Sequence, residues 1–191
     1  RSRKDEVDRP LRTEALEAQQ LENKNRIQAL FRTKRRFKNT PVGTQFSLNL
    51  IELEHLLQAL NDIRIGSWYL LGSAQAEAGF SEGEASLSRA LSLIERSRQP
   101  DEQLHLWILN DLGIVRCEQQ HDYARALTLY REALAIRERI YPEGHPDRVI
   151  GMIGIGYCLL EAGELQQAPS GEVESFRLLH ANLLGRAGAS R

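Results

Sequence analysis

The chain has 191 residues, enough for one compact domain or a short array with a sizeable core. No apolar run approaches the roughly 18 to 20 residues needed to span a bilayer, and nothing at the N-terminus resembles a secretory signal. The net charge of −1 hides an uneven distribution: residues 1–40 carry 12 Lys and Arg against 6 Asp and Glu, whereas the remainder carries 13 against 20. A soluble, intracellular setting is the expectation, cytoplasmic with the nucleus left open. The opening residue is Arg1 and not methionine, which suggests a piece of a longer protein. Cys117 and Cys158 both fall in predicted helices, so reduced, buried thiols are expected and no disulfide framework is implied.

The head is rich in helix formers from Leu11 to Phe37, but its apolar residues Leu16, Leu21, Ile27, Leu30, Phe31 and Phe37 keep no heptad, which predicts a helix and not a long coiled coil. All four lysines lie in this head. Arg32, Lys34, Arg35, Arg36 and Lys38 form a basic patch that would suit phosphates of a nucleic acid, an import receptor or an anionic membrane; the plainer reading is a solvated helix end. Only Phe31 and Phe37 accompany it, so stacking on single-stranded nucleic acid has little support. Pro41 and Gly43 mark a boundary, giving a basic segment over 1–43. An amphipathic covering helix over 44–65 comes next, with Leu50, Leu53, Leu57 and Leu60 at steps of three and four and Asn49-x-x-Glu52 as its cap.

Beyond it a pattern recurs: Trp68-x-x-Leu71-Gly72, Leu109-x-x-Leu112-Gly113 and Met152-x-x-Ile155-Gly156, the glycines 41 and 43 residues apart. A fixed period of this length predicts stacked helical hairpins, with each glycine marking where paired helices approach closely. Short polar breaks at Gly79–Glu82, Gln119–Asp122 and Ala162–Glu164 separate first from second helices. In the middle hairpin Ala126, Tyr130 and Ala133 share one face, small and aromatic residues suited to tight packing.

These residues resemble the tetratricopeptide repeat family, in its variant of about 42 residues found in kinesin light chains. The resemblance rests on Leu109-Asn110-Asp111-Leu112-Gly113, on Ala126-Leu127-x-x-Tyr130-x-x-Ala133-Leu134-x-Ile136 and on the loop Tyr141–Asp147. It implies an all-α right-handed superhelical solenoid of about three hairpins, at about 66–100, 101–143 and 144–168, with flanking helices. The first repeat departs, with Ala85 in the place of Ala126 but Arg89 and Ser92 in those of Tyr130 and Ala133. The third is interrupted at Pro169-Ser170-Gly171, before an amphipathic stretch carrying Val173, Phe176, Leu179 and Leu183. Residues 169–191 read as a terminal capping helix, unless a stretch of the natural chain is missing between Ala168 and Pro169.

Chemical motifs fail on context. Gly151-Met152-Ile153-Gly154-Ile155-Gly156 is not G-x-G-x-x-G and has no strand before it, the five histidines lack metal spacing, and no serine sits in a nucleophile elbow. Neither an enzyme, a cofactor nor a metal is expected. His145 reads as a turn-stabilising residue ahead of Pro146 and Asp147. The resemblance implies instead a protein-binding scaffold whose first helices line a concave groove, and it places Tyr69, Ser73, Asn110, Ile114, Cys117, Ile153 and Tyr157 in that groove to hold a partner peptide or helix. Asn110 leads, because an amide both donates to and accepts from a peptide backbone. A flanking helix filling the groove would turn these residues into core. A regulatory or sensor segment of a larger signalling protein, kinase or transcription regulator, and a chaperone-like repeat module are the alternatives.

Overall fold

Six helices and one short β-hairpin make up the residues that the computed structural model describes, 5–32, 37–143 and 145–163. In chain order they are α1 (Asp5–Arg32), β1 (Phe37–Thr40), β2 (Gly43–Phe46), α2 (Leu50–Glu77), α3 (Glu82–Glu95), α4 (Glu102–Ile114), α5 (Tyr123–Ile140) and α6 (Pro146–Glu161). A single π-helical turn, Val115–Gln119, continues α4.

Local chemistry sets the helix starts. At α2 the Asn49 side chain accepts from the Glu52 amide (2.9 Å) while the Glu52 carboxylate accepts from the Asn49 amide (3.0 Å), the reciprocal cap that the sequence predicts. Asp101 accepts from the Leu104 amide at α4 and Asp122 from the Arg125 amide at α5. His145 Nδ1 accepts from the Asp147 amide (3.2 Å) and its ring stacks on Tyr141 with centroids 4.4 Å apart, so this histidine shapes the turn into α6, as expected of it. Gly79, at φ +79°, takes the left-handed conformation that lets the chain reverse between α2 and α3.

Packing is organised by the glycines. A Cβ at residue 72 would meet the Leu87 backbone nitrogen at 2.7 Å, one at 83 the Ala76 nitrogen at 2.4 Å, and one at 113 the Tyr130 ring at 2.7 Å. These contacts hold α2 against α3 and α4 against α5. Gly154 faces Tyr130 and Gly151 faces Leu134 and Arg137, so α6 packs on α5 of the preceding hairpin; the glycines that weaken α6 as a helix answer a neighbour. The core runs through Leu87, Ala90, Ile94, Leu104, Ile108 and Leu112, and continues into Cys117, Ala126, Tyr130, Ile155 and Cys158.

The first repeat corrects the sequence alignment. Ala85 and Arg89 are exposed and Ser92 only half-buried, while Gly83, Leu87 and Ala90 are buried where Ala126, Tyr130 and Ala133 lie in the second. Glu82 and Tyr123 open their helices equally far beyond Gly72 and Gly113, so the register differs by two residues because α3 brings its second residue, Gly83, to the seam and α5 its fourth, Ala126. Far from packing loosely, α3 meets α2 backbone to backbone.

Three further expectations change. The head helix is described as far as Arg32, and Phe37 is not helical but opens a strand whose partner is β2, paired antiparallel from Phe37↔Phe46 to Thr40↔Gly43. Pro41 and Val42 form the turn of that hairpin, which Thr40 Oγ1 closes on the Gly43 carbonyl (2.7 Å). No separate covering helix exists over 44–65: one continuous helix, about 42 Å long by its rise, runs through the expected boundary at Gly66. Its leucine stripe therefore points outward, with Leu50 72% and Leu57 57% exposed, because the opposite face carrying Ala59 and Gly66 is the one covered by α1. The second helix of the third repeat and the expected terminal helix lie outside the described residues. The fold is an all-α solenoid of antiparallel helical hairpins, with β1 and β2 its one two-stranded sheet among the described residues.

Gly113→Leu is expected to overpack the α4/α5 seam and cost about 2 to 3 kcal/mol. Thermal unfolding should show it as a fall in Tm of about 5 to 10 °C.

Candidate functional site

The first helices of the hairpins, α2 and α4, share a face, and α1 lies across it. Leu16, 2% exposed, seats in the space that Gly66 leaves open: a Cβ there would come within 3.7 Å of the leucine and 3.3 Å of Gln20 Nε2. On either side of Leu16, one turn and a little less along α1, polar groups reach α4. Arg12 donates to Asp111 Oδ1 at 3.2 Å, and Gln19 Nε2 donates to Asp101 Oδ2 at 2.8 Å. Asp101 thus caps α4 with one oxygen and holds α1 with the other.

Asp111 is the centre of a polar cluster. Ser73 donates its hydroxyl to Oδ2 at 3.0 Å, and the Tyr69 hydroxyl hydrogen-bonds with both Asp111 and Arg12. Burial pushes the Asp111 carboxyl above its usual value, opposed by the Arg12 charge and by the hydrogen bonds from Ser73 and Tyr69. Burial also raises the Tyr69 hydroxyl, so it stays protonated and able to donate.

The expected groove residues divide. Tyr69 and Cys117 are 4% and 1% exposed: Tyr69 is held under α1 with its ring stacked on Trp107, and Cys117 is packed with Tyr130 and Cys158. Neither offers a surface to a partner, which corrects both assignments. Ser73 is half-buried and engaged with Asp111. The Asn110 amide oxygen accepts from Arg137 Nη2 at 3.3 Å, across the α4/α5 seam. Ile114 and Ile153 are half-buried, and Tyr157 is 39% exposed. Leu160, 48% exposed, stands one turn beyond Tyr157, and the Tyr157 hydroxyl is raised by burial and then by the charges of Glu161 and Glu118. Ile114 belongs to α4, and Ile153, Tyr157 and Leu160 stand on one stripe of α6.

Of the basic patch, Arg32 is exposed at the end of α1 and Lys38 exposed on β1, so the cluster is not one helix end; residues 33–36 lie outside the described residues. Among the described residues no group of three His, Cys, Asp or Glu converges as for a metal ion, and no helix is long and apolar enough to cross a membrane. The sequence missed Arg12, Gln19, Asp101 and Asp111. Asp111 stands beside Asn110 in the repeat motif, but its significance depends on a partner 99 residues away.

The tetratricopeptide repeat family model matches residues 64–139 and, overlapping, 117–168. The chain belongs to the tetratricopeptide repeat family. No curated protein and no solved structure matches it. The matched region begins within α2 and contains α3 to α6, so α1, the β-hairpin and the first part of α2 are additions ahead of the tetratricopeptide array. Tetratricopeptide repeats generally mediate protein–protein interaction and are typically non-catalytic, and the face that α1 crosses is the one built from first helices.

Since the folded pKa of Asp111 lies above the unfolded one, the stability its protonated form contributes is full below about 3.8 and is lost as pH rises through the folded value. Arg12→Gln removes the main opposing charge, so the Asp111 carboxyl is expected to titrate at still higher pH, read by carboxyl NMR shifts. Asn110→Ala strips an acceptor from buried Arg137 and is expected to cost about 1 to 3 kcal/mol in chemical denaturation.

Proposed function

We propose that this chain is a protein-recognition scaffold that holds a basic amphipathic helix or peptide on its first-helix face, in the open part between α4 and α6. Ile114, Ile153 and Tyr157, joined by Leu160, supply the apolar floor, and Glu118 and Glu161 the acidic flank. Asn110 belongs to this reading as a residue that shapes the wall through Arg137. The observation that carries the proposal is α1 itself: a helix already rests on the neighbouring part of the same face, anchored by a leucine, an arginine and an amide. A surface that accepts one helix by these contacts has the width and chemistry to accept another. Tyr157 is the anchor to test, because aromatic side chains dominate binding energies while its exposure makes it dispensable for folding.

An array of basic amphipathic helical peptides probed with the purified chain is expected to give a bound subset. Tyr157→Ala should weaken those peptides about tenfold or more with Tm unchanged. Equal binding by the variant and the wild type would overturn the assignment.

A further inference from the structure

Three features of α1 distinguish it from the helices of the array. Its packing is slim: among its described side chains Leu16 is the one fully buried apolar residue, while Leu21 and Phe31 are 57% and 43% exposed. A cleft of about 450 Å³ separates its second half from α2, lined by Leu21, Lys24 and Ile27 on one side and Ile63 on the other. Its anchors are polar and directional, Arg12 on Asp111 and Gln19 on Asp101.

Asp111 explains why the anchor is a cation. Beneath a covering helix its carboxylate is desolvated, and two hydroxyls alone would leave a buried negative charge uncompensated. Whatever covers this part of the face must bring a positive group to Asp111, a side chain small enough in section to enter beside Gly66, and a donor to Asp101. Arg12, Leu16 and Gln19 stand at i, i+4 and i+7, which places all three on one stripe of a helix.

Resting on the protein-recognition reading above, we propose that α1 is a displaceable occupant of the α2–α4 part of the groove. It stands in for a partner helix carrying arginine, leucine and glutamine at that same spacing. When such a helix enters, α1 leaves, and the partner gains a continuous surface from α2 to α6. Selection rests on position and not on net charge: α1 carries five Lys and Arg against six Asp and Glu, so the incoming helix is chosen for an arginine placed where Arg12 meets Asp111.

The probe is a fluorescein-labelled synthetic peptide of residues 5–32, titrated by fluorescence anisotropy into the full-length chain. Wild type, whose seat is filled, is expected to bind it weakly. Full-length Arg12→Gln and Leu16→Ala, each weakening the tethered helix by a different contact, should bind it about tenfold tighter or more. A peptide carrying Arg12→Gln should lose that gain. If both variants keep their circular dichroism and cooperative melting yet bind the probe no better than wild type, displacement is overturned. Sedimentation should find the wild type free of α1 exchange between copies; a dimer formed by swapping α1 would overturn its role as an occupant in its own chain. Tyr157→Ala introduced into the Arg12→Gln chain should leave probe binding unchanged, because this seat lies between α2 and α4. Failure of the probe with Tyr157-dependent peptide binding intact therefore rejects displacement alone, and the converse rejects the open-groove reading alone.

Discussion

Between α2 and α3 glycine on one helix meets backbone on the other at the closest approach, and that distance fixes the geometry of everything stacked on it. Gly72 faces the Leu87 backbone and Gly83 the Ala76 backbone, so the pair is locked at two points one helical turn or more apart. The second hairpin solves the same constraint differently, with Gly113 accepting the flat Tyr130 ring and Ala126 and Ala133 buried to 0%. Because side chains are at their minimum at the seam, neither helix can rotate without a clash, and interiors at crystal-like density leave no slack to absorb one. The first helices are therefore held side by side, and the face they share becomes a rigid seat.

What that seat does is governed by two carboxylates, Asp101 and the desolvated Asp111. Asp101 caps α4 and Asp111 lies within it; Asp101 divides its oxygens between the Leu104 amide and Gln19 of α1, and Asp111 between Ser73 of α2 and Arg12 of α1. A buried acid is costly when unpaired and directional when paired, which makes it poor as general glue and good as a selector. One ion pair, Arg12 with Asp111, joins the head to the repeats across 99 residues of chain.

Repetition, helix faces and caps were legible because they are local. The close approach at Gly72 and Gly113, the Asn49 and Glu52 pair and the small-aromatic-small face of α5 depend on residues a few positions apart, and each appears in the structure as read. Three things were not legible. The register of α3 depended on Gly83 meeting the Ala76 backbone, a close approach that the spacing of the other hairpin does not foretell. The division at Gly66 looked like a helix boundary, but glycine in a helix costs only about 1 kcal/mol, and here its missing side chain admits Leu16. The burial of Tyr69 came from α1 lying over it, so a groove map drawn from the repeats alone counted as surface what a distant segment had made interior.

The β-hairpin between α1 and α2 gives the arrangement a further property. β1 and β2 pair with each other, and Phe46 stacks on Phe31 at 4.6 Å, so the hairpin is folded back against the helix it follows. A helix tied this closely to its seat is present there at an effective concentration on the order of millimolar. A free helix of equal intrinsic fit, at micromolar concentration, meets a competitor about a thousandfold more concentrated than itself. Occupancy of this face is thus a question of local abundance as much as of complementarity, and the length and order of a two-stranded ribbon far from the repeats set its threshold.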